Sequence, residues 1–280
     1  MTTLQAPEDG AAGLDDGFAA LTELIAATTG FRCGSYKERC LRRRLAVRMR
    51  ARGVHTYDDY VRVLGGDPRE WDRLLDALTI NVTRLFRDPA AYAGIEREVV
   101  PRLWACGTGP IRAWSAGCSS GDEAYSLAVL FHRHAESLGQ ADCLDRVSIV
   151  GTDIDRGSLE AAALGRYPES AFADVPPELR ARYFTGGSPA EVVPELRAMT
   201  RFERRDLLHE PPPADDLDLI LCRNVLIYFD RETQERLFST FRDALRPGGF
   251  LVLGKVETLL GDSRRGFIPV LARERVFRRT

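Results

Sequence analysis

Lysine is almost missing from this sequence. Of its 39 basic residues only Lys37 and Lys255 are lysine and the rest are arginine, a bias of genome composition rather than a set of specific contacts. Paired cysteines are missing as well. Cys33, Cys40, Cys106, Cys118, Cys143 and Cys222 form no CxxC unit, and His55, His132, His134 and His209 do not stand beside them at zinc-ligand spacing. That argues against a metal finger and for reduced thiols in a cytoplasmic protein. No apolar run approaches the roughly 20 residues that span a bilayer. The opening MTTLQAPEDG is acidic and polar, without the basic-then-apolar order of a secretory signal. Net charge is small too, at −2, and no internal repeat is visible.

What remains is globular. The 280 residues are 44% hydrophobic and 29% charged, near the averages of folded domains. At roughly 150 residues per domain the length allows one large domain or two smaller ones. The near-neutral charge is a cancellation. Between Arg32 and Arg52, nine basic residues face one acid, Glu38, giving +8 and leaving −10 for the rest of the chain.

Two textures follow one another. Residues 1–16 read as a mobile acidic tail, without period. From Gly17 the pattern is helical: Phe18, Leu21, Leu24 and Ile25 recur at three-to-four spacing. A second helix is expected over Ser35–Arg52, with Ser35 and Glu38 as a capping box and Leu41, Leu45 and Met49 as its apolar stripe. Tyr57–Leu64 gives a third helix, and Asp67-Pro68 opens a fourth that reaches about Ile80. This helical domain is expected over 17–90. After about residue 105, strand-length apolar runs alternate with helices: Ile111–Ala116, Asp122–Leu138, Val147–Thr152, Gly157–Leu164, Leu217–Cys222, Arg231–Leu245 and Phe250–Gly254. That alternation indicates an α/β domain over 91–280, with a parallel sheet covered on both faces. Phe267–Leu271 and Arg275–Phe277 suit a closing antiparallel strand or hairpin. Residues 168–205, rich in Pro, Gly and Glu, read as an inserted subdomain.

Chemistry first shows at Ser115-Ala-Gly-Cys-Ser-Ser-Gly-Asp-Glu123. A strand runs into a Gly-x-x-x-Gly turn that opens a helix, which brings backbone and free amides close to a ligand. The spacing is not GxGxxG, so the dinucleotide fingerprint is absent. One strand later Val147-Ser-Ile-Val-Gly-Thr-Asp153 ends in an acid. In a doubly wound sheet such a carboxylate stands where ribose hydroxyls bind. Asp153 suits that role or a turn, and Asp155 suits a helix N-cap. Both features fit a nucleoside cofactor without choosing between a nicotinamide and S-adenosylmethionine.

Three further segments narrow the choice: Asn81-Val-Thr-Arg-Leu-Phe-Arg-Asp88, Cys222-Arg-Asn-Val-Leu-Ile-Tyr-Phe-Asp230 and Leu245-Arg-Pro-Gly-Gly-Phe-Leu-Val-Leu-Gly254. With SAGCSSGDEAYSLA and GTDID, they resemble the CheR family of protein-glutamate O-methyltransferases acting on chemotaxis receptors, over about residues 15–280. The resemblance implies an all-helical N-terminal domain, then a Rossmann-like methyltransferase domain with a small inserted β-subdomain. It implies S-adenosylmethionine as cofactor, S-adenosylhomocysteine as product and Asn81, Thr83, Arg87, Gly117, Asp122 or Glu123, Asp153, Asp206, Leu207, Asn224 and Val225 as cofactor contacts. Tyr228 would face the methyl-transfer site as the catalytic residue. The implied partner is the helical bundle of a chemoreceptor's cytoplasmic part, docked on Arg39, Arg42, Arg43 and Arg44. A cytoplasmic monomer without metal, nucleic acid or membrane insertion is expected. Asp122, Ala124, Asp206 and Lys255-Val256 depart from the family's usual Glu, Pro, Asn and small polar residues. Two other readings are a methyltransferase acting on a nucleobase amino group, whose Asn/Asp-Pro-Pro-aromatic motif is absent here, and a non-catalytic cofactor-binding module.

Overall fold

The computed structural model describes residues 9–79 and 82–280. The chain divides into two compact units, one running to residue 80 and including Tyr228–Asp230, the other comprising 81–227 and 231–280.

The first unit is helical: α1 (Asp9–Thr29), α2 (Glu38–Ala51), α3 (Tyr57–Gly66) and α4 (Pro68–Leu78). Each presents one apolar stripe: Leu21 and Ile25, then Leu41, Leu45 and Met49, then Tyr60 and Leu64, then Leu74 and Leu78, all buried. The last two helices start where their caps predict. Thr56 accepts from the Asp59 amide. Asp67 accepts from the Arg69 amide, with Pro68 at the first helical position. Two expectations are corrected. Residues 9–16 are helical rather than a tail, as the start of α1. The capping box is not formed either. Ser35 lies in a 3-10 turn (Cys33–Ser35) and its carbonyl accepts from the Asp230 amide. Tyr36 is extended in a bridge to Phe229, so α2 begins only at Glu38.

The second unit starts ten residues earlier than the expected boundary of 90/91. The reason is packing. Leu85, Phe86, Tyr92 and Ile95 belong to the sheet's hydrophobic core; Leu85 and Phe86 precede α5 (Pro89–Gly94), Tyr92 lies on it, and Ile95 opens the π turn that leads into α6 (Val100–Ala105). Then come β1 (Ile111–Ala116), α7 (Asp122–Ser137), β2 (Val147–Asp153) and α8 (Arg156–Leu164). An insertion of β3 (Arg166–Tyr167), α9 (Pro177–Tyr183), β4 (Ala190–Glu191) and α10 (Pro194–Ala198) precedes β5 (Thr200–Arg204). The chain ends with β6 (Leu217–Cys222), α11 (Arg231–Ala244), β7 (Leu245–Leu253), β8 (Phe267–Leu271) and β9 (Val276–Arg279).

The main sheet has seven strands in the order β5-β2-β1-β6-β7-β9-β8. It is parallel except for the closing β8–β9 pair, which runs antiparallel as expected. From β1 the chain moves one way to β2 and later the other way to β6, so the topological switch point lies between β1 and β6, where doubly wound sheets bind ligands. Inner strands are mostly apolar, and β6 is buried at every position, the acid Asp218 included. The insertion is shorter than 168–205. Thr200–Arg204 is the edge strand of the main sheet, in register with Ile149–Asp153. Its Thr-Arg-Phe-Glu-Arg sequence carries charges because an edge strand faces water. Among the described residues, no helix is long and apolar enough to cross a membrane.

Candidate functional site

The second unit gathers its chemistry at the carboxyl ends of β1, β2, β6 and β7. Gly117 leaves β1 with φ +76, a region disfavoured for side chains. A Cβ there would stand 2.6 Å from Val225 Cγ2, so the turn after β1 lies directly on the turn after β6. The amides of Gly117 and Cys118 both donate to the Thr152 carbonyl, at 2.8 and 2.9 Å. The Ser119 amide donates to Asp153 Oδ2 at 2.8 Å, and the Asp155 amide to Asp153 Oδ1 at 3.0 Å. Asp153 is thus aimed at the glycine turn by two backbone donors. Burial pushes its carboxyl up from the usual carboxylate range, and those amides oppose the rise. Each oxygen still has lone-pair capacity for a hydroxyl donor. Asp155 caps α8 by accepting from the Ser158 amide at 3.2 Å, as expected, and the bond from the Asp155 amide to Asp153 is the turn contact that the sequence also allowed for Asp153.

Next to Asp153, the Ser119 hydroxyl is buried, with the residue 7% exposed, and has no hydrogen-bond partner among the described residues. Buried hydroxyls are ordinarily paired. An unpaired one beside a strand-end acid, at the switch point of the sheet, fits a polar nucleoside ligand.

The two acids that open α7 differ in surroundings. Asp122 accepts from Ser120 Oγ at 2.7 Å. Glu123 accepts from Ser115 Oγ at 2.8 Å, on β1, and its other oxygen lies 3.6 Å from Arg223, which follows β6. Desolvation raises both carboxyls, with Arg223 opposing the rise at Glu123. Glu123 is therefore the acid at the switch point. Arg223 is itself buried, lies over the Tyr92 ring, and donates to the Arg87 carbonyl at 2.8 Å. It ties the Arg87-Asp88 segment to the strand ends, while the Arg87 guanidinium bonds the Val82 carbonyl. Thr83 is half-buried in the same segment. Asn81 lies outside the described residues.

Asp206 and Leu207 follow β5. Asp206 accepts from the Leu208 amide at 2.8 Å and faces His209 Nδ1 at 2.7 Å, so both of its oxygens already serve its own turn. Two participants had no role in the sequence reading, Arg223 and Glu257. Arg223 lies within the Cys222–Asp230 motif and Glu257 three residues past the Leu245–Gly254 motif; burial and bonding show what each does.

In the first unit the basic helix is less free than its +8 suggests. Arg44, expected on a docking face, is 7% exposed. Its Nη1 bonds the Leu78 carbonyl, its Nε and Nη2 are buried with no hydrogen-bond partner among the described residues, and its Cζ lies 4.6 Å from the centre of the Tyr228 ring. The stripe that buries Leu41, Leu45 and Met49 buries Arg44 with them, so it is no surface docking residue. Arg42 pairs with Glu38 and covers the Phe18 ring. Arg48 grips the fully buried Glu70, which also accepts from Tyr60. Arg39 and Arg43 are exposed as expected. Tyr228 belongs to this unit; its carbonyl accepts from the Lys37 amide at 2.9 Å.

Comparison with known proteins gives the family. Residues 16–79 match the model described as "CheR methyltransferase, all-alpha domain", and residues 81–275 match "CheR methyltransferase, SAM binding domain". The chain is 32% identical over 254 residues to a chemotaxis protein methyltransferase of Listeria innocua, covering 90% of this chain and 94% of that protein. It is 34% identical over 255 residues to chemotaxis protein methyltransferase 2 of Pseudomonas aeruginosa, covering 88% of each. A 104.1 kDa uncharacterized protein of Rhodobacter capsulatus is 37% identical over 245 residues; 86% of this chain matches it but only 25% of its length. On the match over 81–275, the chain belongs to the CheR methyltransferase family, enzymes that take their methyl group from S-adenosylmethionine.

Proposed function

We propose that the protein methylates glutamate side chains of a chemoreceptor's cytoplasmic helical bundle, in the cytoplasm, as part of sensory adaptation. The observation that carries the cofactor site is the pairing of Asp153 with the glycine turn through the Ser119 amide. In this reading Asp153 accepts from the ribose hydroxyls and Ser119 Oγ adds a polar contact. Gly117, Asn224 and Val225 line the wall between β1 and β6, and Glu123, rather than Asp122, answers the cofactor's amino group. Thr83 and Arg87 close one side, with Asn81 preceding them in the sequence; Leu207 lies toward the adenine. Asp206, already bonded within its turn, acts by shaping that turn.

When bound, S-adenosylmethionine supplies a sulfonium-activated methyl group, and a glutamate oxygen that takes it becomes a methyl ester, leaving S-adenosylhomocysteine. The acceptor needs no general base, because a free glutamate has a pKa of about 4.3 and is ionised at neutral pH. The protein's work is to align the reactants and exclude water. Tyr228 orients the acceptor, and the exposed Arg39 and Arg43 attract the acidic bundle.

Two measurements test this. Calorimetric titration with S-adenosylhomocysteine should give binding that Asp153→Ala largely abolishes; equal binding by both proteins defeats the ribose assignment. Labelled S-adenosylmethionine offered with a receptor cytoplasmic fragment should leave base-labile methyl esters on the receptor. Label on nucleic acid and none on protein would overturn the substrate class.

A further inference from the structure

We infer that Glu257 is a positioning residue whose buried carboxylate clamps the Asn224–Ile227 turn in the shape that meets the cofactor. This rests on the reading that Asn224 and Val225 contact the cofactor. Glu257 is 5% exposed. Its Oε2 accepts from the Asn224 amide at 2.9 Å and the Gly254 amide at 2.6 Å, and its Oε1 from the Ile227 amide at 3.3 Å. One carboxylate therefore joins the end of β7 to both ends of the turn after β6.

The turn needs such a clamp. Asn224 sits at φ +61, an uncommon region for a residue with a side chain, though asparagine tolerates it best. Its backbone amide donates to the Glu257 carboxylate, and a buried amide without an acceptor costs about 1–3 kcal/mol. Glu257 supplies that acceptor. The approach is close. A Cβ at Gly254 would stand 2.7 Å from Glu257 Oε2 and 2.8 Å from the Asn224 nitrogen, so only glycine lets the strand end, the turn and the carboxylate meet. A carboxylate can accept all three bonds, whereas an amide in its place presents N–H donors to N–H donors. Val225, held between these anchors, is the residue that packs on Gly117. The clamp thus reaches the glycine turn through one side chain.

Glu257→Gln keeps the volume, leaves one acceptor oxygen and turns the other into an N–H donor that faces backbone amides. The variant should bind S-adenosylhomocysteine at least about tenfold more weakly, which corresponds to about 1.4 kcal/mol, under conditions where its circular dichroism matches the parent's. A purely structural role would lower the unfolding midpoint while leaving the affinity of the folded protein unchanged, and that result overturns the inference. Asn224→Ala runs in parallel. If it weakens binding and Glu257→Gln does not, the clamp fails and the Asn224 assignment stands. If Asn224→Ala binds like the parent, the assignment fails and the clamp's purpose with it. Should Glu257→Gln not fold, hydrogen exchange in the unaltered protein decides. Slow exchange of the amides of residues 224, 227 and 254 without ligand supports a preformed clamp, and exchange at the rate of an open loop overturns it.

Discussion

At the scale of single residues, the sharpest demands fall on Gly117. It combines a φ of +76 with a neighbour, Val225 Cγ2, standing 2.6 Å from where a Cβ would go. A side chain in the left-handed region costs about 1–2 kcal/mol, and the clash adds displacement of the turn after β6. Gly117→Ala should therefore weaken S-adenosylhomocysteine binding by more than tenfold in calorimetry, with both turns displaced. Binding within twofold of the parent would mean that neither turn shapes the pocket. Gly117 and Asp153 stand out in the sequence because a strand, a glycine turn and a strand-end acid together fit a nucleoside ligand. Glu257 is not legible, because the hydrogen bonds it accepts from Asn224 and Ile227 join segments some thirty residues apart, and no local period marks such a bond.

At the scale of elements, α2 shows where composition misleads. The sequence gives nine basic residues between 32 and 52, but α2's inward stripe takes in Arg44, and Glu70 on α4 takes in Arg48. A helix period of 3.6 sorts apolar positions well; it does not say which arginines spend their charge inside. Leu41, Leu45 and Met49 were legible as the buried face, and Arg44, one residue before Leu45, shares that face by the same geometry. β5 was hidden for the opposite reason: its charged edge sequence lacks the continuous apolar run that marks β1, β2 and β6. The expected experiment on α2 is correspondingly split. Reversing Arg39 and Arg43 to glutamate should lower receptor methylation severalfold and leave calorimetric S-adenosylhomocysteine binding intact. Arg44→Glu should instead destabilise the helical unit, since it places a carboxylate against the Leu78 carbonyl that now accepts from Arg44. Loss of cofactor binding in the Arg39/Arg43 variant would point to a structural role for that face.

At the scale of the whole molecule, charge is balanced more locally than the total of −2 implies. Residues 1–80 carry twelve basic and twelve acidic side chains, so the +8 segment is offset within its own stretch of chain. Glu38, Asp67 and Glu70 make part of that balance directly, through pairs with Arg42, Arg52 and Arg48. No large net field is left to draw an acidic bundle from a distance. Attraction must come from the basic groups of the segment that stand exposed, Arg32, Lys37, Arg39, Arg43, Arg50 and Arg52. Such groups act over about one Debye length, about 10 Å at 0.1 M salt and about 3 Å at 1 M. The KM for receptor should therefore rise severalfold as salt is raised across that range. The KM for S-adenosylmethionine should stay nearly flat, since the groups proposed to hold it, Asp153 and Glu123, lie in a largely buried site where screening is weak. A receptor KM indifferent to salt would remove the electrostatic reading of α2 and leave shape alone to choose the substrate.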